Sequence, residues 1–284
     1  MTEHAAITTE PEWIDPIGGF GDSLLLASVL QDVWRETGRT FGMYRRLPYS
    51  AFFRGHPAIV RFGPPPPGVS PIKVNYWAVE QPGPGNSRPY QILARILGAK
   101  TPRPETLWVP PDDGARERLA YFPLKDGYVV IAPTSGSPRK MWSWPKWGNL
   151  VERLRQTGRQ VVQIGHDQDP KVPGTFSLCG YTTPRDDFAV LRSAALAVVV
   201  DAFALHAAAA VGTPTVAMWG PTAPEVFGYK QHSNVVTPTA CLTSCFGIRD
   251  GKIDLSPCDR ERGGWFCLAD LAVDEVWERA EALL

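Results

Sequence analysis

Tyr128-Val129-Val130-Ile131-Ala132-Pro133-Thr134-Ser135-Gly136-Ser137-Pro138-Arg139-Lys140 is the stretch that decides the fold. Its first five residues form an unbroken apolar run, the pattern of a parallel strand buried on both faces. The run stops at a proline and turns polar at once. Pro133 onward therefore belongs at the carboxyl edge of a sheet, where open α/β sheets bind ligands. Downstream, residues 147–156 suit a helix that Gly158 ends, and 161–164 suit the next strand. Residues 186–195 suit a helix, 196–200 a strand, 205–211 a small-residue helix and 215–219 a strand. An amphipathic helix is expected over 273–284. This alternation predicts a parallel, doubly wound sheet.

Upstream the signals are weaker. Leu25, Leu26, Val29, Leu30 and Val33 make one apolar stripe and predict a helix over 22–37, stopped by Gly38. Residues 41–44 suit a strand, and 90–97 a helix ended by Gly98. Pro16 interrupts the strand expected before Gly18, an unusual place for proline. Gly63-Pro64-Pro65-Pro66-Pro67-Gly68 and Pro82-Gly83-Pro84-Gly85 mark stiff, irregular loops. Residues 99–126, rich in proline and charge, look like the connection between two domains. The boundary is placed near Lys125, giving domains over 1–124 and 125–284, which the family resemblance drawn below would make the acceptor-side and nucleotide-sugar-binding domains.

The chain has 284 residues, 29 Lys+Arg and 29 Asp+Glu. That size supports a core without disulfide staples. Balanced charge argues against a global field for nucleic acid or an anionic membrane. No apolar run reaches the roughly 18 residues of a membrane span. Residues 1–11 are polar and acidic, with no secretory core. The expectation is a soluble, cytoplasmic protein without a nucleic-acid partner, compatible with peripheral contact at a membrane.

Four further stretches carry chemistry. Gly18-Gly19-Phe20-Gly21-Asp22 is a glycine-rich turn before a helix, and Leu24 stands where a dinucleotide fingerprint needs its third glycine. Asp22 suits a helix cap, or a general base that takes a proton from an acceptor hydroxyl. In the Pro133–Lys140 stretch Thr134 and Ser135 offer hydroxyls to phosphate oxygens and Lys140 a compact cation, with Arg139 as a helper. The alternative is an ordinary solvated loop. Asp201 ends a strand, and the amides of Ala202, Phe203 and Ala204 open a helix toward a diphosphate. His206 lies in that first turn, as a phosphate or sugar ligand or as a buried structural histidine. Gly220, Pro221 and Thr222 would wall the same crevice, or make a plain turn. Asp169 could bridge ribose hydroxyls, or be a surface carboxylate.

Cys241, Cys245, Cys258 and Cys267 are spaced C-x3-C-x12-C-x8-C. Clustered thiols in a reducing compartment suggest tetrahedral zinc or an iron site, against four reduced thiols in a flap. Cys179 stands apart as a packing residue.

Taken in order, Gly19-Phe20-Gly21-Asp22, residues 133–140 with 142–147, Leu178-Cys179-Gly180, residues 201–206 with 208–214, and Gly220-Pro221-Thr222 resemble the heptosyltransferases, glycosyltransferase family 9. Val273-Asp274-Glu275-Val276 after the cysteines is similar to the end of many members. The resemblance implies the GT-B-like fold: α/β, two Rossmann-like domains with parallel sheets facing across a cleft. It implies inverting transfer of a heptose-like sugar from an ADP-sugar to a hydroxyl acceptor on protein or on a lipopolysaccharide core. On that pattern Asp22 is the base, Lys140 binds phosphate, and Thr134 and Ser135 line the diphosphate site. Asp169 aligns with a ribose-binding acid, and Asp201 and His206 with residues at the sugar and phosphate. The cysteines resemble those of a subgroup that glycosylates protein hydroxyls and holds iron; catalysis in the family needs no metal, so a metal here would be structural. Ala202-Phe203-Ala204 departs from the usual Gly or Ser, and Phe203 is expected to narrow the crevice. The rival reading is a non-catalytic nucleotide-sugar-binding module with a metal-stabilised docking segment.

Overall fold

A computed structural model describes residues 10–44, 49–80, 87–238, 248–249, 252–253 and 267–284. The chain forms two compact units, Met1–Val79 with Pro89–Pro110, and Glu80–Arg88 with Pro111–Leu284.

The first unit holds a parallel sheet of four strands: β1 (Glu12–Pro16), β2 (Phe41–Met43), β3 (Ile59–Phe62) and β4 (Ile72–Val74), in the order β3-β2-β1-β4. Its helices are α1 (Phe20–Thr37), α2 (Tyr49–Phe52), α3 (Tyr76–Val79) and α4 (Pro89–Leu97). Pro16 is tolerated because it is the last residue of its strand; the next amide, on Ile17, resumes the ladder by donating to the Val74 carbonyl. Gly42 is required by packing, since a Cβ there would lie 2.7 Å from the Trp13 ring. The α1 stripe buries Leu24, Leu26, Val29, Leu30 and Val33, and Gly38 ends the helix in the left-handed region at φ 68°. Asp32, buried in α1, accepts from the Tyr90 hydroxyl of α4 and from the Arg103 amide, so the carboxylate is not orphaned. His56 is buried too. The Ala58 amide donates to its Nδ1, so Nε2 carries the proton and donates to the Ala27 carbonyl.

The second unit holds a parallel sheet of six strands: β5 (Val129–Ala132), β6 (Val161–Gln163), β7 (Phe176–Ser177), β8 (Leu196–Val200), β9 (Thr215–Trp219) and β10 (Ser233–Val236). The order is β10-β9-β8-β5-β6-β7. The residues Ile248–Arg249 (β11) and Lys252–Ile253 (β12) pair antiparallel. The helices are α5 (Ala115–Leu119), α6 (Trp144–Gln156), α7 (Asp186–Arg192), α8 (Phe203–Val211), α9 (Pro224–Phe227) and α10 (Val273–Glu281). Val129, Ile131, Leu196, Val198, Val200, Val216 and Met218 share one sheet face, packed with Leu150, Val151 and Leu154 of α6 and Val276 and Ala280 of α10. The alternate residues turn to the other face. There Ala204, Ala207 and Ala208 of α8 are buried, and their small side chains let the helix sit close to the strands. No helix among the described residues is long and apolar enough to cross a membrane.

The division between the units differs from the sequence expectation, because the stretch after Pro110 is bound into the second unit. Arg118 pairs with Asp186 of α7, and Arg185 reaches both the Pro111 carbonyl and Asp113. Glu80–Arg88 joins the same unit, with Arg88 donating to the carbonyls of Val226 and Gly228. Residues 99–126 also contain α5 rather than being wholly irregular.

Both sheets reverse strand order once. In the second unit the chain runs outward from β5 through β6 and β7, then returns to place β8 on the other side of β5. In the first unit β2 and β3 lie on one side of β1 and β4 on the other. At such a reversal the two turns beyond neighbouring strands diverge and leave a crevice at the carboxyl edge.

Truncating Leu150, fully buried where α6 meets the sheet, should cost about 2–5 kcal/mol. Urea denaturation of Leu150→Ala, read as a lowered midpoint at unchanged slope, checks that this face is the core of the second unit.

Candidate active site

At the reversal in the first unit, Gly18 adopts φ 104° and Gly19 caps α1. Asp22, three residues into the helix, turns back so that its Oδ2 accepts the Gly19 amide at 2.7 Å. The Ser23 amide and hydroxyl both donate to the Gly19 carbonyl. A Cβ on Gly18 would lie 2.2 Å from Asp22 Oδ2, so this glycine is required by its backbone angle and by the carboxylate pressed against it. The other oxygen, Oδ1, accepts the hydroxyl of Tyr76 at 2.5 Å. Tyr76 opens α3 just beyond β4 and is buried. The capping role expected of Asp22 is thus present.

At the reversal in the second unit, the turns after β5, β8 and β9 meet. Lys140 Nζ lies 2.7 Å from Asp201 Oδ2, and both side chains are largely buried. The Thr222 hydroxyl donates to the same carboxylate at 2.6 Å, and the Ser135 hydroxyl donates to the Asp201 carbonyl at 3.3 Å. Burial alone would raise the Asp201 pKa, but the Lys140 charge and the hydrogen bonds of Lys140 and Thr222 outweigh it and hold the carboxyl below its ordinary range. Lys140 Nζ also lies 5.9 Å from the centre of the Phe227 ring. Ala202 caps α8, so Phe203 and Ala204 begin the helix beside this cluster. The Phe203 ring packs edge-on against Phe188 of α7, with centroids 5.8 Å apart. Its bulk is thereby shared with the seam between α7 and α8.

Thr134 and Asp169 also come together. The Thr134 hydroxyl donates to Asp169 Oδ2 at 2.5 Å, and the His166 amide donates to the same oxygen at 2.8 Å. Gly165, at φ 155°, would carry a Cβ 2.3 Å from that oxygen, so Asp169 folds back over its own turn. It is a turn-forming carboxylate rather than a free surface one. Gly220 closes against the Cβ of Cys267, at 2.9 Å from an added Cβ, and Pro221 and Thr222 are buried beside it.

His206 is buried, its Nδ1 2.7 Å from the Tyr229 hydroxyl and its ring edge-on to that phenol. Burial drives the Tyr229 pKa up, so the phenol stays protonated. Next to it His232 is buried with no hydrogen-bond partner for either ring nitrogen among the described residues, and burial pushes its pKa down to about 4. Sequence patterns did not reveal Tyr76 or Tyr229. Tyr76 follows a three-residue strand too short to show alternation, and Tyr229 lies in an irregular turn after α9.

Cys241, Cys245 and Cys258 lie outside the described residues. Cys267 is half-buried, and among the described residues no group of three or more His, Cys, Asp or Glu could hold a metal. Cys179 is buried, as expected of a packing residue.

The description "Glycosyltransferase family 9 (heptosyltransferase)" belongs to a family model that matches residues 87–248, more than half of the chain. Lipopolysaccharide heptosyltransferase 3 of Escherichia coli (strain K12) is 33% identical over 133 residues, which are 43% of this chain and 38% of that enzyme. The match therefore spans less than half the length of that relative. Among solved structures, the iron-containing dodecameric glycosyltransferase TibC from enterotoxigenic E. coli H10407 has a TM-score of 0.74 at 17% identity, covering 96% of this chain and 76% of that one. The E. coli heptosyltransferase WaaC with ADP-2-deoxy-2-fluoro heptose has a TM-score of 0.60 at 15% identity, covering 97% and 100%. At these identities the structures show the fold, GT-B-like and α/β. The chain belongs to glycosyltransferase family 9.

Because the folded His232 has its pKa lowered toward 4, it favours folding most above its ordinary value near 6.5, and that contribution is lost as pH falls from 6.5 to 4. Asp187, whose carboxyl burial pushes up to about 7, titrates in the opposite sense. Comparing wild type with His232→Phe isolates the histidine. The variant should lack about 3 kcal/mol of acid-induced loss across that window in urea unfolding.

Proposed function

We propose that this family 9 chain is an inverting glycosyltransferase that moves a heptose-like sugar from an ADP-sugar to a hydroxyl acceptor. The observation that carries the reading is the cluster at the strand-order reversal of the second unit. There a lysine, two hydroxyls and a helix N-terminus gather on one carboxyl edge. Those groups suit a diphosphate, and the ADP-sugar in the WaaC structure supports the donor class.

In this reading the acceptor oxygen attacks the anomeric carbon and its proton passes to Asp22. The bond from that carbon to the diphosphate oxygen breaks, and its electron pair leaves on ADP. Lys140 and the amides at Phe203 and Ala204 stabilise the charge that develops there, and the hydroxyls of Thr134 and Ser135 join them by turning away from Asp169 and from the Asp201 carbonyl. Asp201 holds Lys140 in place, and Thr222 holds Asp201. His206, steadied by Tyr229, is assigned to the sugar and phosphate side. Asp169 Oδ1 is the oxygen left for ribose hydroxyls, since Oδ2 is engaged by Thr134 and His166.

The lipopolysaccharide core is the acceptor favoured here, on the identity to lipopolysaccharide heptosyltransferase 3. A protein hydroxyl is the second reading, motivated by the four cysteines and by the likeness to TibC. Cys241, Cys245, Cys258 and Cys267 are assigned a structural iron or zinc ion, outside the chemical step. About one metal ion per purified chain, lost in Cys258→Ser, is the expected result.

Two substitutions test the assignment of roles. Asp22→Asn should keep its affinity for ADP, measured by calorimetry, while turnover of ADP-heptose falls by at least a hundredfold, on the order of a lost general base. Lys140→Ala should weaken ADP binding at least tenfold. Retained turnover in the first removes Asp22 from the base role, and unchanged affinity in the second removes Lys140 from the phosphate role.

A further inference from the structure

We propose that Tyr76 is the positioning residue for Asp22, and that Oδ1, the oxygen it touches, is where the acceptor's proton is taken. The inference rests on the base role proposed for Asp22.

The two oxygens of this carboxylate are in unlike surroundings. Oδ2 faces the backbone, bonded to the Gly19 amide and so close to Gly18 that a Cβ there could not be accommodated. Oδ1 faces across the strand-order reversal and meets the Tyr76 hydroxyl. A carboxylate held by a single cap bond can still rotate about its last torsion, which is broad and soft. A second bond, from a residue on another element, fixes the carboxylate plane. Oδ1 keeps a second acceptor site after taking the phenol hydrogen bond, and that site is the one left for the acceptor hydroxyl.

Tyr76 is itself well fixed. It follows β4 directly, and the Trp77 amide donates to Asn75 Oδ1, forming the turn that starts α3. Its ring is buried and lies against Trp77 with centroids 5.2 Å apart. The hydroxyl is therefore delivered from a rigid element, as positioning of a reacting group requires. The donor is also neutral. A phenol orients the carboxylate without the charge pairing that a lysine or arginine would bring.

Tyr76→Phe keeps the ring and removes only the hydroxyl. With ADP-heptose as donor and a truncated lipopolysaccharide core as acceptor, kcat should fall about ten- to a hundredfold, the scale of one hydrogen bond to a charged group. The KM for ADP-heptose and the ADP dissociation constant should stay within about twofold, because Tyr76 is not assigned to the donor. Tyr76→His, which again offers a ring donor, should recover part of the lost kcat. Unchanged kcat in Tyr76→Phe overturns the inference. So does a kcat loss matched by an equal loss of ADP affinity, or a collapse of the fold, since both would mark a structural role. The base reading fails separately, by retained turnover in Asp22→Asn. Full activity of Tyr76→Phe beside an inactive Asp22→Asn would remove Tyr76 alone.

Discussion

The ion pair of Lys140 and Asp201 is the constraint around which the second unit's edge is arranged. Taking both charges out of water costs several kcal/mol per ion, and an apolar pair of the same volume would often be at least as stable. The pair is therefore weak evidence for stability and better evidence for placement. It fastens the turn after β5 to the turn after β8, and Thr222 adds the turn after β9. Removing one partner would strand a buried charge, at a cost on the order of 3–5 kcal/mol. The same arrangement fixes the position of a cation whose long stem would otherwise be mobile. Lys140 reaches the edge of the sheet already oriented, so a bound diphosphate would not have to order it.

The second unit was largely legible because its central strands are buried on both faces. Continuous runs such as Val129–Ala132 and Leu196–Val200 leave no ambiguity about period. The first unit was not legible in this way. Its strands are short, β3 is largely exposed, and β2 contains a glycine that makes sense only once Trp13 is seen lying over it. Ile72-Lys73-Val74 is too brief to announce a strand, so Tyr76 beyond it gave no signal. The boundary expected near Lys125 differs from the division after Pro110 for a related reason. Proline and charge in residues 99–126 indicate irregular chain, but they do not say which unit the arginines at 118 and 185 will fasten it to.

Contacts of the candidate site were legible where they were local to one turn, as with Asp22 and Gly19, or where a strand ended abruptly in a polar residue, as at Asp201. Partners contributed by a distant turn were missed. Tyr229 reaches His206 across 23 positions, and Tyr76 reaches Asp22 across 54. No local periodicity encodes such a meeting. The strand order does, because it brings together turns that are remote in sequence.

The two reversals differ in a way that follows from the chemistry proposed for each. A leaving diphosphate gathers negative charge, and the second unit supplies a cation, hydroxyls and a helix N-terminus. A general base needs one oxygen presented to the acceptor hydroxyl in a fixed direction. Asp22 is instead gripped by neutral donors, the Gly19 amide and the Tyr76 hydroxyl. Capping and the proposed base role are then not competing descriptions of this residue. The cap engages Oδ2 and fixes the side-chain rotamer, and the same bond turns Oδ1 outward toward Tyr76. An asparagine could keep the bond from the Gly19 amide through its one carbonyl oxygen. What it could not provide is a second oxygen, held in a fixed plane and charged, on the side away from the backbone.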